Sequence, residues 1–311
     1  MKSDISVIIP LYNKVRTVER ALRSVLEQTL PPLEVVVVDD GSEDGSAEVV
    51  ERMMAACDDV PVRLVRQPNG GVSAARNRAI AVSSGTYVAL LDADDWWTPD
   101  HLVDCQRIIN DYPDCAIYAS AFRIDDGRSL SDADTSHREG LVDFFRESLH
   151  RYVVIPSAAV LRRGTVVAAG GFPEGMRMGE DQYLWVKMAR LGAVCFSPKP
   201  TAVYSKAADN RSKSIWRPES CAHSFSELLS DASSDAEREY IARVALGKAL
   251  VQSVKGGTAE AAEAARTFGF TRTNRRALRK LRTVNALPVS WRGPLVDVYN
   301  FLAWKIAKKG L

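Results

Sequence analysis

An α/β fold on a mainly parallel sheet flanked by helices, followed by a helical C-terminal extension, is what this chain of 311 residues predicts. Three observations carry that reading. Over the first hundred residues, short β-rich apolar runs alternate with helical periodicity. Three of those runs pass straight into polar residues at their C-terminal ends, where open α/β sheets keep their ligands because the loops there carry no packing duty. Beyond Ser220 the apolar spacing becomes almost wholly helical.

Ile5 to Ile9 is the first strand. After Pro10 and the turn at Tyr12 and Asn13, the residues Val15, Val18, Ala21, Leu22, Val25 and Leu26 fall at helical spacing, until Pro31 and Pro32 stop the helix. Glu34 to Val38 is a second, buried strand. Asp39-Asp40-Gly41-Ser42 leaves its end, and a helix runs on through Val49 and Met53. Val62 to Arg66 is the third strand. The turn Pro68-Asn69-Gly70-Gly71 leads to a helix from about Ser73 to Ala81 and a fourth strand from Tyr87 to Leu91. Thr98 and Pro99 read as the N-cap and first turn of a helix reaching about Asn110. Cys115 to Arg123 and Val153 to Leu161 are strand-like, with a polar loop, Asp125 to Glu139, between them. A helix opens near Glu180 with Leu184, Met188 and Leu191 on one face, and a strand pair surrounds Val194 and Val203.

With 46% hydrophobic and 26% charged residues the chain has the makings of a sizeable core. The 41 basic and 39 acidic residues nearly cancel, but not evenly. From Thr271 onward Arg272, Arg275, Arg276, Arg279, Lys280, Arg282, Arg292, Lys305, Lys308 and Lys309 face the single acid Asp297, while the rest of the chain is net acidic. The cysteines Cys57, Cys105, Cys115, Cys195 and Cys221 are scattered and form no CxxC pair, so a zinc or redox site is not expected and a reducing cytoplasm is the simplest home. The first residues carry no signal-peptide pattern, and no apolar run approaches the length that spans a bilayer. The expected location is cytoplasmic, with at most peripheral contact at the inner face of the cell membrane.

Four stretches carry chemistry. In Leu90-Leu91-Asp92-Ala93-Asp94-Asp95 three carboxylates crowd a strand end, and like charges so close call for a cation. Oxygen-only ligands suit Mg2+ or Mn2+, which complete their shell with water and substrate phosphates. The bland alternative is an acidic helix start ahead of Pro99. The two strand ends Pro10-Leu11-Tyr12-Asn13 and Asp39-Asp40-Gly41-Ser42 offer a stacking face and a carboxylate for a base N–H; alternatively Asp39 and Asp40 merely cap the next helix. Gly70 and Gly71 precede a helix bearing Arg76, which is suited to balancing phosphate charge or else is a solvated residue. Glu180 and Asp181 open a helix, where a carboxylate serves either as a general base or as an N-terminal cap.

The ordered runs SVIIPLYNK, VVVVDDGSEDGS, QPNGGVSAARNRAI, ALLDADDWWTPDHL, GGFPEG and GEDQYLW make residues 4 to 215 resemble the family 2 glycosyltransferases with the GT-A fold. The resemblance implies a GT-A, Rossmann-like catalytic domain over residues 1–218, with a nucleotide-sugar-binding half (1–112) and an acceptor-binding half (113–218), followed by a basic helical extension (219–311). It implies a donor site of Pro10, Tyr12, Asn13, Asp39, Arg76, Asp92 and Ala93, with Tyr12 and Asp39 on the base. Asp92 and Asp94 form the family's DXD element, Asp94 on the metal, Asp92 toward the ribose or the metal shell, and Asp95 sharing either task. Asp181 is the implied catalytic base. The implied reaction is an inverting displacement of a nucleoside diphosphate, with UDP the preferred nucleotide, by a hydroxyl of a glycan or lipid-linked acceptor in cell-surface polysaccharide synthesis, aided by Mn2+ or Mg2+. One departure stands out. Where many members carry a pattern like YRxH, this chain reads Tyr204-Ser205-Lys206-Ala207, leaving Lys206, Arg211 or Lys213 to neutralise the diphosphate.

Leu295, Val298, Tyr299, Leu302 and Ile306 recur at helical spacing, with Lys305, Lys308 and Lys309 beyond. Such a helix either packs on the catalytic domain or on a second subunit as a homodimer contact, or lies on an anionic membrane. No nucleic-acid partner is expected. Residues 125–139 and 146–156 are the candidate acceptor loops. Two other readings compete: a nucleotide-sugar-binding protein without turnover, and a sugar-phosphate nucleotidyltransferase, whose glycine-rich, lysine-containing N-terminal loop is missing here.

Overall fold

A computed structural model describes residues 3–57, 59–133, 138–206 and 219–296. The chain folds as two compact units, residues 1–211 and 212–311. In the first, β1 (Ile5–Leu11), α1 (Val18–Leu26), β2 (Glu34–Asp39), α2 (Ser46–Ala55), β3 (Val62–Arg66), α3 (Val72–Val82) and β4 (Tyr87–Leu90) alternate in the manner of an α/β unit. There follow β5 (Trp96–Trp97), α4 (His101–Asp111), β6 (Ile117–Asp125), β7 (Leu130–Asp132), β8 (Gly140–Val142), α5 (Phe144–Glu147), β9 (Ala159–Arg162), α6 (Arg163–Ala168), α7 (Glu180–Leu191) and β10 (Val194–Ser205). The second unit holds α8 (Asp235–Val254), α9 (Thr258–Thr267) and α10 (Arg275–Asn285).

One sheet runs β3-β2-β1-β4-β9-β6-β10-β5, with β7 on β6 and β8 on β10. The strands β3, β2, β1 and β4 are mutually parallel, β9 is antiparallel to both of its neighbours, and β6 and β10 are again parallel. Every residue of β2 is buried, as expected of a strand covered by helices on both faces. The edge strand β3 instead turns Arg63 and Arg66 to solvent, which discourages pairing with another chain. On α1, Val18, Ala21, Leu22 and Val25 are fully buried at the i, i+3, i+4, i+7 spacing. Each large aliphatic side chain so removed from water contributes roughly 1.5–3 kcal/mol.

Leu11 pairs with Asp39 and Ile8 with Leu90, so β1, β2 and β4 deliver their following loops to one edge of the sheet. That edge positions the site.

Several expectations need correction. Thr98 does not cap α4. Trp96 and Trp97 pair with Val203 and Ala202, and the Thr98 amide donates to the Thr201 carbonyl at 2.9 Å, so the chain stays extended and the helix starts at His101 with Asp100 as its N-cap. The polar stretch after Asp125 contains β7, paired with β6; its residues 134–137 lie outside the described ones. Strand β9 is shorter than expected because Pro156–Ala158 forms a 3-10 turn. The expected strand pair is one strand, β10, whose register with β6 shifts around Pro200; prolines cannot donate to the ladder. Leu191 is 54% exposed and does not join Leu184 and Met188 in the core. His101 is buried and stacked on Trp97 at 4.2 Å, and its Nδ1 meets the Thr201 hydroxyl at 2.8 Å. Burial pushes this imidazole down to about 3, so it is neutral and structural.

In the second unit Ser234 caps α8, its hydroxyl accepting from the Glu237 amide at 3.1 Å. Small residues, Ala242, Ala245, Ala249, Ala261 and Ala265, are buried with Leu278, Leu281 and Val284 of α10. Residues 289–296 are helical. Arg292 is 3% exposed and donates to the backbone carbonyls of Ser253, Asn285 and Leu287, so a buried cation is fully satisfied there. The residues Val298, Tyr299, Leu302, Lys305, Ile306, Lys308 and Lys309 of the tail lie outside the described residues.

Candidate functional site

The ends of β1 and β2 form the first wall. Asp39 closes β2, is almost fully buried, and accepts the Ser42 amide on Oδ1 at 3.0 Å. Its Oδ2 has no hydrogen-bond partner among the described residues. Asp40 has neither oxygen to spare: Oδ1 accepts from the Gly70 amide and the Gln67 side chain, Oδ2 from the Gly71 amide, each at 2.8 Å. The turn before α3 is thus tied to β2, and Gly71 has the positive φ of 88° that a side chain would strain. Asn13, at φ 50°, links the two loops by accepting the Glu43 amide and donating its own amide to Ser42 Oγ. Tyr12 is half exposed, and Pro10 lies beside Val38 in the sheet.

The three acids after β4 do not converge. Asp92 pairs with Arg76 at 2.7 Å, Asp94 pairs with Lys14 at 2.7 Å, and Asp95 is buried at 1% exposure. Asp95 accepts the Ser157 hydroxyl at 2.5 Å and the Ser205 amide at 2.8 Å, fastening the loop to the turn before β9 and to the end of β10. Asp95, expected to share the metal or the ribose task, thus has both of its oxygens hydrogen-bonded inside the protein. Burial, with the charges of Asp92 and Asp94, pushes its carboxyl well above the ordinary range. Ala93 is buried between its neighbours. Among the described residues no group of three or more His, Cys, Asp or Glu is arranged to hold a metal. What the loop does offer is Asp92 and Asp94, each partly exposed and each with a second oxygen that takes no hydrogen bond among the described residues. That donor set fits a cation that takes one or two carboxylates and fills its shell from water and phosphates.

Arg76, expected either to balance phosphate charge or to be solvated, is not a solvated residue. It is 2% exposed, bonds Asp92 through Nη2 and Glu180 through Nη1 at 3.2 Å, and lies over the Phe172 ring at 5.1 Å. Burial opposes its charge, but the carboxylates of Asp92 and Glu180 override burial and hold the guanidinium firmly protonated. Arg76 thereby joins the end of β4 to the start of α7. There Asp181 accepts the Gln182 amide on Oδ1 at 2.8 Å. Burial first, then the Glu180 charge, push its carboxyl up to about 7, with Arg76 pulling the other way.

Lys14, Arg20, Ser157 and Phe172 were not singled out from sequence. Lys14 directly follows the Tyr12-Asn13 turn, a signal that could have been used. Arg20, which donates to the Asp94 carbonyl at 2.9 Å, and Ser157 carry no local signal at all. Of the suggested diphosphate cations, Lys206 is exposed and its amide donates to the Asp125 carbonyl; Arg211 and Lys213 lie outside the described residues.

Comparison with known proteins bears on the family and the fold. The chain is 29% identical over 192 residues to chondroitin synthase of Pasteurella multocida, covering 60% of this chain and 19% of that protein. It is 31% identical over 189 residues to the uncharacterized glycosyltransferase YibD of Escherichia coli, covering 60% of this chain and 47% of that one. The chain thus spans less than half the length of either relative. Among solved structures it is similar to TarS of S. aureus in complex with UDP-GlcNAc, at TM-score 0.60 and 22% identity over 94% of this chain and 84% of that one. It is also similar to the mannosyltransferase PcManGT from Pyrobaculum calidifontis in complex with GDP-Man and Mn2+, at TM-score 0.53 and 23% identity over 94% and 73%. At such identities the likeness speaks to the fold, which is GT-A. The model of glycosyl transferase family 2 matches residues 6–166, more than half of the chain, and on that footing the chain belongs to glycosyl transferase family 2.

Proposed function

We propose that this chain is a glycosyltransferase that inverts the anomeric centre of a sugar carried by a nucleoside diphosphate, UDP by preference, and passes it to a hydroxyl of a glycan or lipid-linked acceptor in surface polysaccharide synthesis. The observation that carries the reading is Asp181, a carboxyl pushed up to about 7 and linked through the Glu180–Arg76–Asp92 chain to the loop after β4. A general base works best with a pKa near the operating pH. The acceptor oxygen attacks the anomeric carbon, its proton passes to Asp181, and the bond to the diphosphate oxygen breaks with inversion. Asp39 receives the single imide N–H of a uracil ring on its open Oδ2, and Tyr12 offers the stacking face. Asp92 and Asp94 would hold a divalent cation. When bound, that cation supplies charge stabilisation to the departing diphosphate. A relative named chondroitin synthase, and fold neighbours solved with UDP-GlcNAc or with GDP-Man and Mn2+, support the donor class and the cation. The segments 125–139, of which 134–137 lie outside the described residues, and 146–156 are the proposed acceptor contacts, and the proposed location is the cytoplasm, with peripheral contact at the inner face of the cell membrane.

Calorimetric titration with UDP, GDP and dTDP, with and without Mn2+, tests the donor site on the wild type and on Asp94→Ala. Tight UDP binding that needs both Mn2+ and Asp94 is the expected result. Failure of every nucleotide to bind would remove the reading.

A further inference from the structure

Arginines of the first unit that reach solvent, fully or in part, are commonly paired with acids: Arg23 with Glu19, Arg66 with Glu51, Arg107 with Glu139 and Arg123 with Asp132. Helix α10 of the second unit is different. Arg275, Arg276, Arg279 and Arg282 are exposed, as is Arg272 just before the helix, and none of the five has a salt-bridge partner among the described residues. No Asp or Glu occurs anywhere from residue 271 to 296. At about 100° per residue, the four arginines of the helix fall within an arc of roughly 120°, nearly opposite Leu278, Leu281 and Val284, which are buried. Like charges on adjacent turns destabilise a helix modestly unless an anion covers them. The short helix that follows adds an apolar element. Trp291 at 61% and Leu295 at 45% exposure stand four residues apart on one of its faces, while buried Arg292 fixes how that helix is turned.

We infer that the arginine face of α10, with Trp291 and Leu295 beside it in the chain, docks on an anionic lipid bilayer. Charge complementarity selects an anionic partner, and the exposed indole and leucine select a bilayer over a soluble acidic polymer, which has no apolar interior to receive them. No helix among the described residues is long and apolar enough to cross a membrane, so such contact is in the plane of the surface. The inference stands apart from the donor chemistry, because it uses none of the residues of that site.

The test is co-sedimentation of the full chain with phosphatidylcholine vesicles, with and without phosphatidylglycerol, at low and high salt. Binding is expected only with phosphatidylglycerol and only at low salt, because screening removes the attraction. Each arginine near an anionic surface contributes roughly fivefold to partitioning, so the triple variant Arg275→Gln, Arg276→Gln, Arg279→Gln is expected to bind roughly a hundredfold more weakly. Trp291→Ala is expected to weaken binding as well. Thermal melting by circular dichroism verifies that both variants are folded. Wild-type protein that ignores phosphatidylglycerol vesicles would overturn the inference. So would a folded triple variant that binds like the wild type, or binding to heparin with none to vesicles.

Discussion

Two pairs of carboxylates, Asp92 with Asp94 after β4 and Glu180 with Asp181 at the start of α7, share one buried arginine and differ in everything else. In the first pair each acid has its own cation at 2.7 Å, Arg76 for Asp92 and Lys14 for Asp94. In the second, Glu180 takes the remaining arm of Arg76 and Asp181 has no cation in hydrogen-bonding contact among the described residues. Partner supply therefore separates the roles: acids held against a cation suit charge binding, while the acid left over is pushed up to about 7 and suits proton transfer.

The comparison breaks hardest at Asp181. Asp181→Asn keeps the shape and removes the base, so sugar transfer is expected to fall by about a thousandfold while calorimetric UDP affinity stays within a factor of a few. A variant that still transfers sugar at half the wild-type rate would assign the proton to another group.

Arg76→Met removes the shared buried cation and leaves the partly exposed Asp92 and Glu180 without it. We expect a stability loss of about 3 kcal/mol by urea unfolding, solvent screening keeping it at the low end for a broken pair. Because Arg76 holds the Asp181 carboxyl down, the acid limb of the pH–rate profile should also move to higher pH in this variant.

In the wild type that limb should lie near pH 7, with the rate rising as Asp181 loses its proton. The stability sign is the reverse. A carboxyl whose native pKa lies above its unfolded value favours folding while protonated, so its contribution is complete below about 4 and is lost as pH rises through about 7. A tenfold difference in proton affinity between the folded and unfolded chain corresponds to about 1.4 kcal/mol, reduced here by the partial exposure of the carboxyl. Asp181→Asn should therefore melt several degrees above wild type at pH 8 and at nearly the same temperature at pH 4.

The smallest effect sharpens the contrast with Asp95. Ser157 donates to Asp95 and accepts from the Asp92 amide, so Ser157→Ala is expected to cost about 1–3 kcal/mol by chemical denaturation. Nucleotide affinity should change little if Asp95 braces the loop without touching the donor.

The parallel half of the sheet was legible because Val7–Ile9, Val35–Val38 and Val88–Leu91 are continuous apolar runs followed by polar turns, a pattern few other structures satisfy. The second half was less so. A 3-10 turn at Pro156, a register shift at Pro200 and a two-residue strand at Trp96 answer to neighbours distant in the chain, and no local period announces them. Within the site, the crowding of Asp92, Asp94 and Asp95 was visible, but their separation was not. It depends on Ser157 and Ser205, 62 and 110 residues from Asp95, and on Lys14, 80 residues from Asp94.

What the sequence by itself determined is the kind of scaffold and the inventory of its strand ends, because hydrophobic period and turn chemistry are local properties of the chain. Tertiary structure decided the partners of each acid, and raised the carboxyls of Asp95 and Asp181 above their ordinary range. A carboxylate's pKa depends on which cations, amides and hydroxyls come within a few ångströms and on how much water remains. Chain folding brought Arg76 to Asp92 and Glu180, and stopped short of Asp181.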